Sequence, residues 1–148
     1  ALSSLHHGTT LQIGPGEYGS NNSVKGIERL TIEALDAQDP PTFKGGSLAW
    51  QFSRCAQLTL RNIRITEQAA NGINLDDGGD LARPVAAITL ERIEISNIGP
   101  RGNHDGTKCS GLSSLTIRGC SITGWGGQGI DLVGCHRVLI TDYGVDPR

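Results

Sequence analysis

Short triplets of the form apolar-Thr-apolar return along the chain: Leu30-Thr31-Ile32, Leu58-Thr59-Leu60, Ile88-Thr89-Leu90 and Leu115-Thr116-Ile117. Their spacings are 28, 30 and 27 residues, and Val138-Leu139-Ile140 follows after 23 more. Leu11-Gln12-Ile13 fits as an earlier, shorter member. Beyond each triplet the alternation continues, so that Arg61-Asn62-Ile63-Arg64-Ile65 matches Glu91-Arg92-Ile93-Glu94-Ile95 and Arg118-Gly119-Cys120-Ser121-Ile122. A period of two indicates strand. A second strand precedes each unit, with Gly72-Ile73-Asn74-Leu75, Gly106-Thr107-Lys108-Cys109 and Gly129-Ile130-Asp131-Leu132 in register and Ala49-Trp50-Gln51-Phe52 a looser match.

Units of this length, each holding several short strands between Gly, Asn and Asp turns and showing no helical period, describe an all-β chain: a parallel β-solenoid of about five to six rungs. Leucine-rich repeats share the length but need their own Leu and Asn spacing. A sandwich of antiparallel hairpins gives no reason for residue types to match at fixed positions in successive units. With 148 residues and 21 glycines in no triplet period, residues 1–148 read as a single turn-rich domain. A net charge of −2 and a pI near 6.1 give no footprint for nucleic acid or an anionic membrane, and neither partner is expected. The last unit supplies Val138 to Val145 and then ends at Asp146-Pro147-Arg148, without the next preceding strand. The expectation is therefore a fragment lacking its C-terminal rungs, with an open end available for self-association.

Stacked rungs turn matching positions into ladders roughly 4.8 Å apart. Glu33, Arg61, Glu91 and Arg118 form one outward ladder of alternating sign, and Arg64 and Glu94 repeat the alternation. Opposite charges in register attract, so a structural role is expected rather than an anionic-ligand stripe. Cys109 shares an inward column with Leu75 and Leu132, Cys120 one with Ile63 and Ile93, and Cys55 and Cys135 one with Val85 and Leu112. All four are expected as buried, reduced thiols. The Thr column from Thr31 to Thr116 raises ice binding, which the neighbouring charged column spoils.

The opening LHHGTTLQIGPGEYG and the rungs LTLRNIRIT, ITLERIEIS and LTIRGCSIT resemble the pectin-lyase-like superfamily of right-handed parallel β-helices. That resemblance covers nearly the whole chain and implies fold more than chemistry, because the superfamily holds polysaccharide lyases, polygalacturonase-type glycosidases, esterases and non-catalytic binding proteins. It implies a carbohydrate-active protein, secreted or periplasmic, with its cleft on the outer face of the strand that contains Gly72 to Leu75, Gly106 to Cys109 and Gly129 to Leu132. If Ile73, Leu75, Ile130 and Leu132 point inward there, then Gln51, Asn74, Lys108 and Asp131 face solvent. Asn71, Asp105 and Gln128 form a second column, beside His104, and Gly72, Gly106 and Gly129 a third, read as a backbone requirement.

Two chemistries fit such a groove. A lyase acting on a uronic-acid polymer would use Lys108 as base, with Asp76, Asp77 and Asp80 of NLDDGGD as calcium ligands and Arg101 or Arg137 supplying a cation from flanking turns. Against this stand a solvated Lys108 bonded to Asp131 and a plain polar turn at NLDDGGD. Glycoside hydrolysis needs two carboxyls. NHDG resembles the polygalacturonase pattern carrying one acid, here Asp105, but the paired acids of that pattern fall on Gly127 and Gln128. Asp131 lies three residues along its strand, too far to pair without help from a turn. His104 and His136 are further acid-base candidates. The expected function is lyase-type β-elimination on an acidic polysaccharide, with a carbohydrate-binding or structural solenoid, or a glycoside hydrolase, as alternatives. Asn71, Asn74, Gln128, Arg101 and Arg137 are the expected substrate contacts.

Overall fold

The computed structural model describes residues 2–147, which wind as a parallel β-solenoid of about five turns. Five strands, Asn22–Lys25, Trp50–Ser53, Ile73–Asp76, Thr107–Ser110 and Ile130–Val133, form one face. A ten-stranded sheet makes up the rest, running from Thr10–Ile13 through Thr31–Ala34, Thr59–Thr66, Val85–Ile98 and Leu112–Arg118 to His136–Thr141. The only helical element among the described residues is a 3-10 turn at Leu2–Ser4.

The registers reproduce the sequence columns. Leu11, Ile32, Leu60, Leu90, Ile117 and Ile140 stack rung on rung. The middle four of these are no more than 2% exposed, and each such side chain contributes roughly 1.5–3 kcal/mol by leaving water. Trp50 and Phe52 stand above Ile73 and Leu75, stacked with centroids 5.4 Å apart, while Phe43 meets Trp50 edge-on at 5.1 Å. The looser match at Ala49 to Phe52 thus supplies a full member of the five-stranded sheet, Trp50–Ser53. Asn22–Lys25 adds one rung before it, paired to Trp50–Ser53, which the sequence pattern did not show.

Two features of the winding escape the period-two reading. The strand Thr59–Thr66 does not alternate throughout, because Asn62 and Ile63 are both buried. Asn62 has φ 55°, Arg92 φ 49° and Gly119 φ 63°. These left-handed residues turn the chain and shift its phase by one position, so that Arg61 and Arg64 both face outward. The residues immediately before the triplets, Arg29, Gln57, Ala87, Ser114 and Arg137, are also left-handed, with φ between 51° and 63°. Their side chains have nothing in common, so this corner leaves no compositional mark.

Two of the expected cross-rung pairs form: Arg61 Nε lies 4.0 Å from Glu91 Oε2, and Arg64 Nε donates to Glu94 Oε2 at 3.0 Å. The exposed Arg64–Glu94 pair contributes at most about 1 kcal/mol.

The cysteine expectation needs one correction. Cys55, Cys109 and Cys120 are buried, but Cys135 is only half-buried, because its rung has no further coil packed on it among the described residues. Leu132, Val133, Leu139 and Val145 of that rung are exposed as well. All four cysteines are free. Burial pushes the thiols of Cys55, Cys109 and Cys120 above their ordinary value of 9.0. Thiol labelling of the native protein is expected to show three slow groups and one faster, Cys135; uniform labelling would contradict the burial pattern. The unfolded chain gives up these thiol protons at lower pH than the folded one. Their contribution to stability is therefore complete below about pH 9 and lost as pH rises through the elevated folded values. Denaturant midpoints measured from neutral to alkaline pH check that decline.

Candidate functional site

The outward residues of the five-stranded face line up by register. Ser23, Gln51, Asn74, Lys108 and Asp131 form one row. Two residues further along each strand, Lys25, Ser53, Asp76, Ser110 and Val133 form a second. The inward partners Trp50, Phe52, Ile73, Leu75 and Cys109 are at most 2% exposed, so the backbone beneath both rows is held by the core.

Hydrogen bonds tie the rows into a directional network. Asn71 Oδ1 accepts from the Asp105 amide at 2.8 Å, which fixes its side chain so that Nδ2 donates to Asn74 Oδ1 at 2.9 Å. Asn74 Nδ2 then donates to Gln51 Oε1 at 3.2 Å, and Gln51 Nε2 to Asp76 Oδ2 at 2.6 Å. Ser53 Oγ donates to the other Asp76 oxygen at 2.7 Å. Every amide in this relay is oriented by its neighbour, and the relay ends on a carboxylate.

At the other end of the face, Lys108 Nζ donates to Asp131 Oδ2 at 2.7 Å and lies 3.6 Å from Asp105 Oδ2. The two carboxylate oxygens are therefore no more than about 6.3 Å apart. The expectation is that Asp131 sits too far along its strand to pair with Asp105 without help from a turn, and a turn supplies that help. Asp105 lies in the turn before its strand, and Lys108 bridges the offset. The hydrogen bond that the Lys108 ammonium donates to Asp131, opposed by partial desolvation and reinforced by the charges of Asp131 and Asp105, raises that ammonium above the usual lysine range.

Asp105 is also a structural residue. Its carboxylate is nearly buried, and Oδ1 accepts from the Gln128 amide at 2.9 Å, as Asn71 does one rung earlier. Gln128 belongs to this column through its backbone. Replacing Asp105 by alanine orphans that amide and is expected to cost about 1–3 kcal/mol, whereas Asp105→Asn retains an acceptor; denaturant unfolding of the two variants separates the cases. Gly127 sits against the same group, since a Cβ there would lie 2.7 Å from Asp105 Oδ1 and 2.6 Å from Asn103 Oδ1.

The remaining candidates are dispersed. His104 is half-buried and packs over Gly99 and Gly102. Arg101 is exposed on the loop between the sheets and lines a hollow of about 430 Å³ with Glu67, Gln68 and Pro100. Arg137 turns to the large sheet, where it donates to Ser113 Oγ and, at 3.3 Å, to Ser114 Oγ. His136 is exposed beside Asp77 and Ser110 in a separate hollow of about 250 Å³.

The proposed calcium ligands do not converge. Asp76, Asp77 and Asp80 each accept from the amide two residues on, Gly78 at 2.8 Å, Gly79 at 2.8 Å and Ala82 at 3.2 Å, making three Asx turns in succession. Asp80 further pairs with Arg83 at 2.7 Å, which holds its carboxyl below the usual range. Of the three, Asp76 alone stands in the outward rows of the five-stranded face. Among the described residues these three carboxylates are each engaged in a turn of their own rather than gathered into a group of three His, Cys, Asp or Glu.

The family described as right handed beta helix region matches residues 48–145, which is more than half of the chain. The chain belongs to that right-handed β-helix family. Its fold is accordingly that of the pectin-lyase-like superfamily. Among solved structures it is similar to a protein of Parabacteroides merdae described as a "putative glycosyl hydrolase", with a TM-score of 0.61 over 95% of this chain and 81% of that one, at 12% identity. That likeness is one of fold. No curated protein matches the sequence.

Proposed function

We propose that this β-helix is a carbohydrate-active protein that takes a glycan across its five-stranded face, with Asn74, Lys108 and Asp131 at the centre of contact. The observation that carries the reading is the pre-oriented polar row itself. It is rigid, continuous over several rungs and made of groups that exchange hydrogen bonds with hydroxyls. The resemblance in fold to a protein described as a glycosyl hydrolase supports the same reading.

Recognition without turnover is the function this geometry suits best. β-Elimination from a uronic-acid polymer would require Lys108 to shed its proton before acting as base. Its two carboxylate neighbours oppose that loss. Glycoside hydrolysis is the second reading, favoured by the two carboxylates, Asp105 and Asp131, that Lys108 brings together, since that reaction uses a pair of carboxyl groups. It requires one of the two to serve as a general acid toward the leaving oxygen.

A panel of uncharged, acidic and amino-bearing polysaccharides tests these readings together, scored for affinity, for new reducing ends and for the ultraviolet absorbance of unsaturated products. Affinity without products is expected. Reducing ends that disappear in Asp131→Asn would establish hydrolysis instead, absorbance that disappears in Lys108→Ala would establish elimination, and no affinity for any glycan would remove the proposal.

A further inference from the structure

We infer that the five-stranded face selects uncharged, hydroxyl-rich glycans and discriminates against uronic-acid polymers. The inference rests on the glycan reading above and names the substrate class of that same site. It departs from the acidic polysaccharide that the sequence led us to expect, because a lone exposed lysine in a cleft is a site for carboxylates, whereas this lysine is not alone.

The geometry around Nζ decides the matter. One N–H of Lys108 is committed to Asp131 Oδ2 at 2.7 Å, and a second direction faces Asp105 Oδ2 at 3.6 Å. An arriving carboxylate oxygen would take the remaining direction, at about 2.8 Å from Nζ. With tetrahedral angles at nitrogen it would then stand about 4.5 Å from the Asp131 oxygen and about 5 Å from that of Asp105. Coulomb energy falls as the inverse of distance, so two repulsions at those separations match or slightly exceed the one attraction. The ammonium is neutralised in place as far as an anion is concerned. Asp76 adds a third carboxylate two residues along the neighbouring strand, and its partners Gln51, Ser53 and Gly78 are all uncharged donors.

A hydroxyl meets no such penalty. Lys108 retains a donor direction, Asn74 Nδ2 retains its second N–H, and Asp131 Oδ1 accepts no hydrogen bond from the described residues. Donors and an acceptor therefore lie side by side at about the 4.8 Å spacing of the rungs, and a sugar hydroxyl can give and receive at once.

The test compares an uncharged β-glucan or mannan with polygalacturonate and alginate at low salt, for the wild type and for Asp131→Asn. Wild type is expected to bind at least one uncharged polymer, with the polyuronates at least tenfold weaker. Asp131→Asn removes the nearer repulsion and is expected to strengthen polyuronate binding at least tenfold, a gain that shrinks as salt screens it. Asp131→Ser serves in its place if the amide variant is misfolded by circular dichroism. A wild type that prefers polyuronate, or an Asp131 variant without the gain, overturns the inference while leaving glycan binding intact. Absence of binding to every polymer by both proteins overturns the glycan reading, and the inference falls with it.

Discussion

Alanine at Gly106 is expected to lower stability by about 1–3 kcal/mol, the range for forcing an atom into a filled interior. A Cβ there would stand 2.6 Å from the Gly129 carbonyl oxygen and 2.7 Å from Ile122 Cγ2. Neither can withdraw, since the carbonyl accepts from the Thr107 amide at 3.0 Å and Ile122 is 2% exposed. Gly72 meets the Gly106 carbonyl in the same way one rung earlier. Gly72 and Gly106 are thus glycines because the next coil's carbonyl approaches too closely for a side chain, whereas a Cβ at Gly129 would meet the Val145 side chain at 2.6 Å, and none of the three needs a left-handed backbone. Gly19 is the control: it has open space around its missing Cβ and no left-handed φ, so Gly19→Ala is expected within about 0.5 kcal/mol of wild type. Denaturant midpoints at constant slope measure both. Equal midpoints would refute the close packing of rungs at this corner.

Removing the lysine has the second large effect. Lys108→Ala leaves Asp105 and Asp131 facing each other without their shared cation, and Asp105 is nearly buried. Because the ammonium itself is well exposed, the stability cost is expected to be modest, about 1 kcal/mol. The loss of glycan affinity should exceed tenfold, since the variant lacks the central donor and carries an uncompensated negative pair. The double variant Lys108→Ala with Asp131→Ala is expected to recover stability but not affinity. Calorimetric titration beside denaturant unfolding separates the two readouts, and equal affinity of Lys108→Ala and wild type would move the site elsewhere.

The rung columns were legible in the sequence because inward positions repeat as Leu, Ile and Cys at nearly constant spacing, and the row Gln51, Asn74, Lys108 and Asp131 followed from the same register. The left-handed corners at Arg29, Gln57, Ala87 and Ser114 were not, since any side chain can hang outward from such a turn once the flanking strands pay its conformational cost. Nor was the meeting of Asp105 with Asp131, which depends on how the turn at residues 99–105 brings a carboxylate back over Lys108. Asp76 was read as a turn ligand together with Asp77 and Asp80, but strand alternation puts it two residues beyond Asn74 on the open face. Extending the row by one more period of two would have found it, with Ser53 and Ser110.

The proposed function requires a glycan to lie on the five-stranded face. The most direct measurement is titration of the isotopically labelled protein with the tightest-binding oligosaccharide of the panel, following backbone amide shifts residue by residue. Shifts confined to the strands Trp50–Ser53, Ile73–Asp76, Thr107–Ser110 and Ile130–Val133 and to the turn carrying Asp105 are the predicted result. Shifts centred on the large sheet, around Arg61, Glu91 and Arg118, would contradict it.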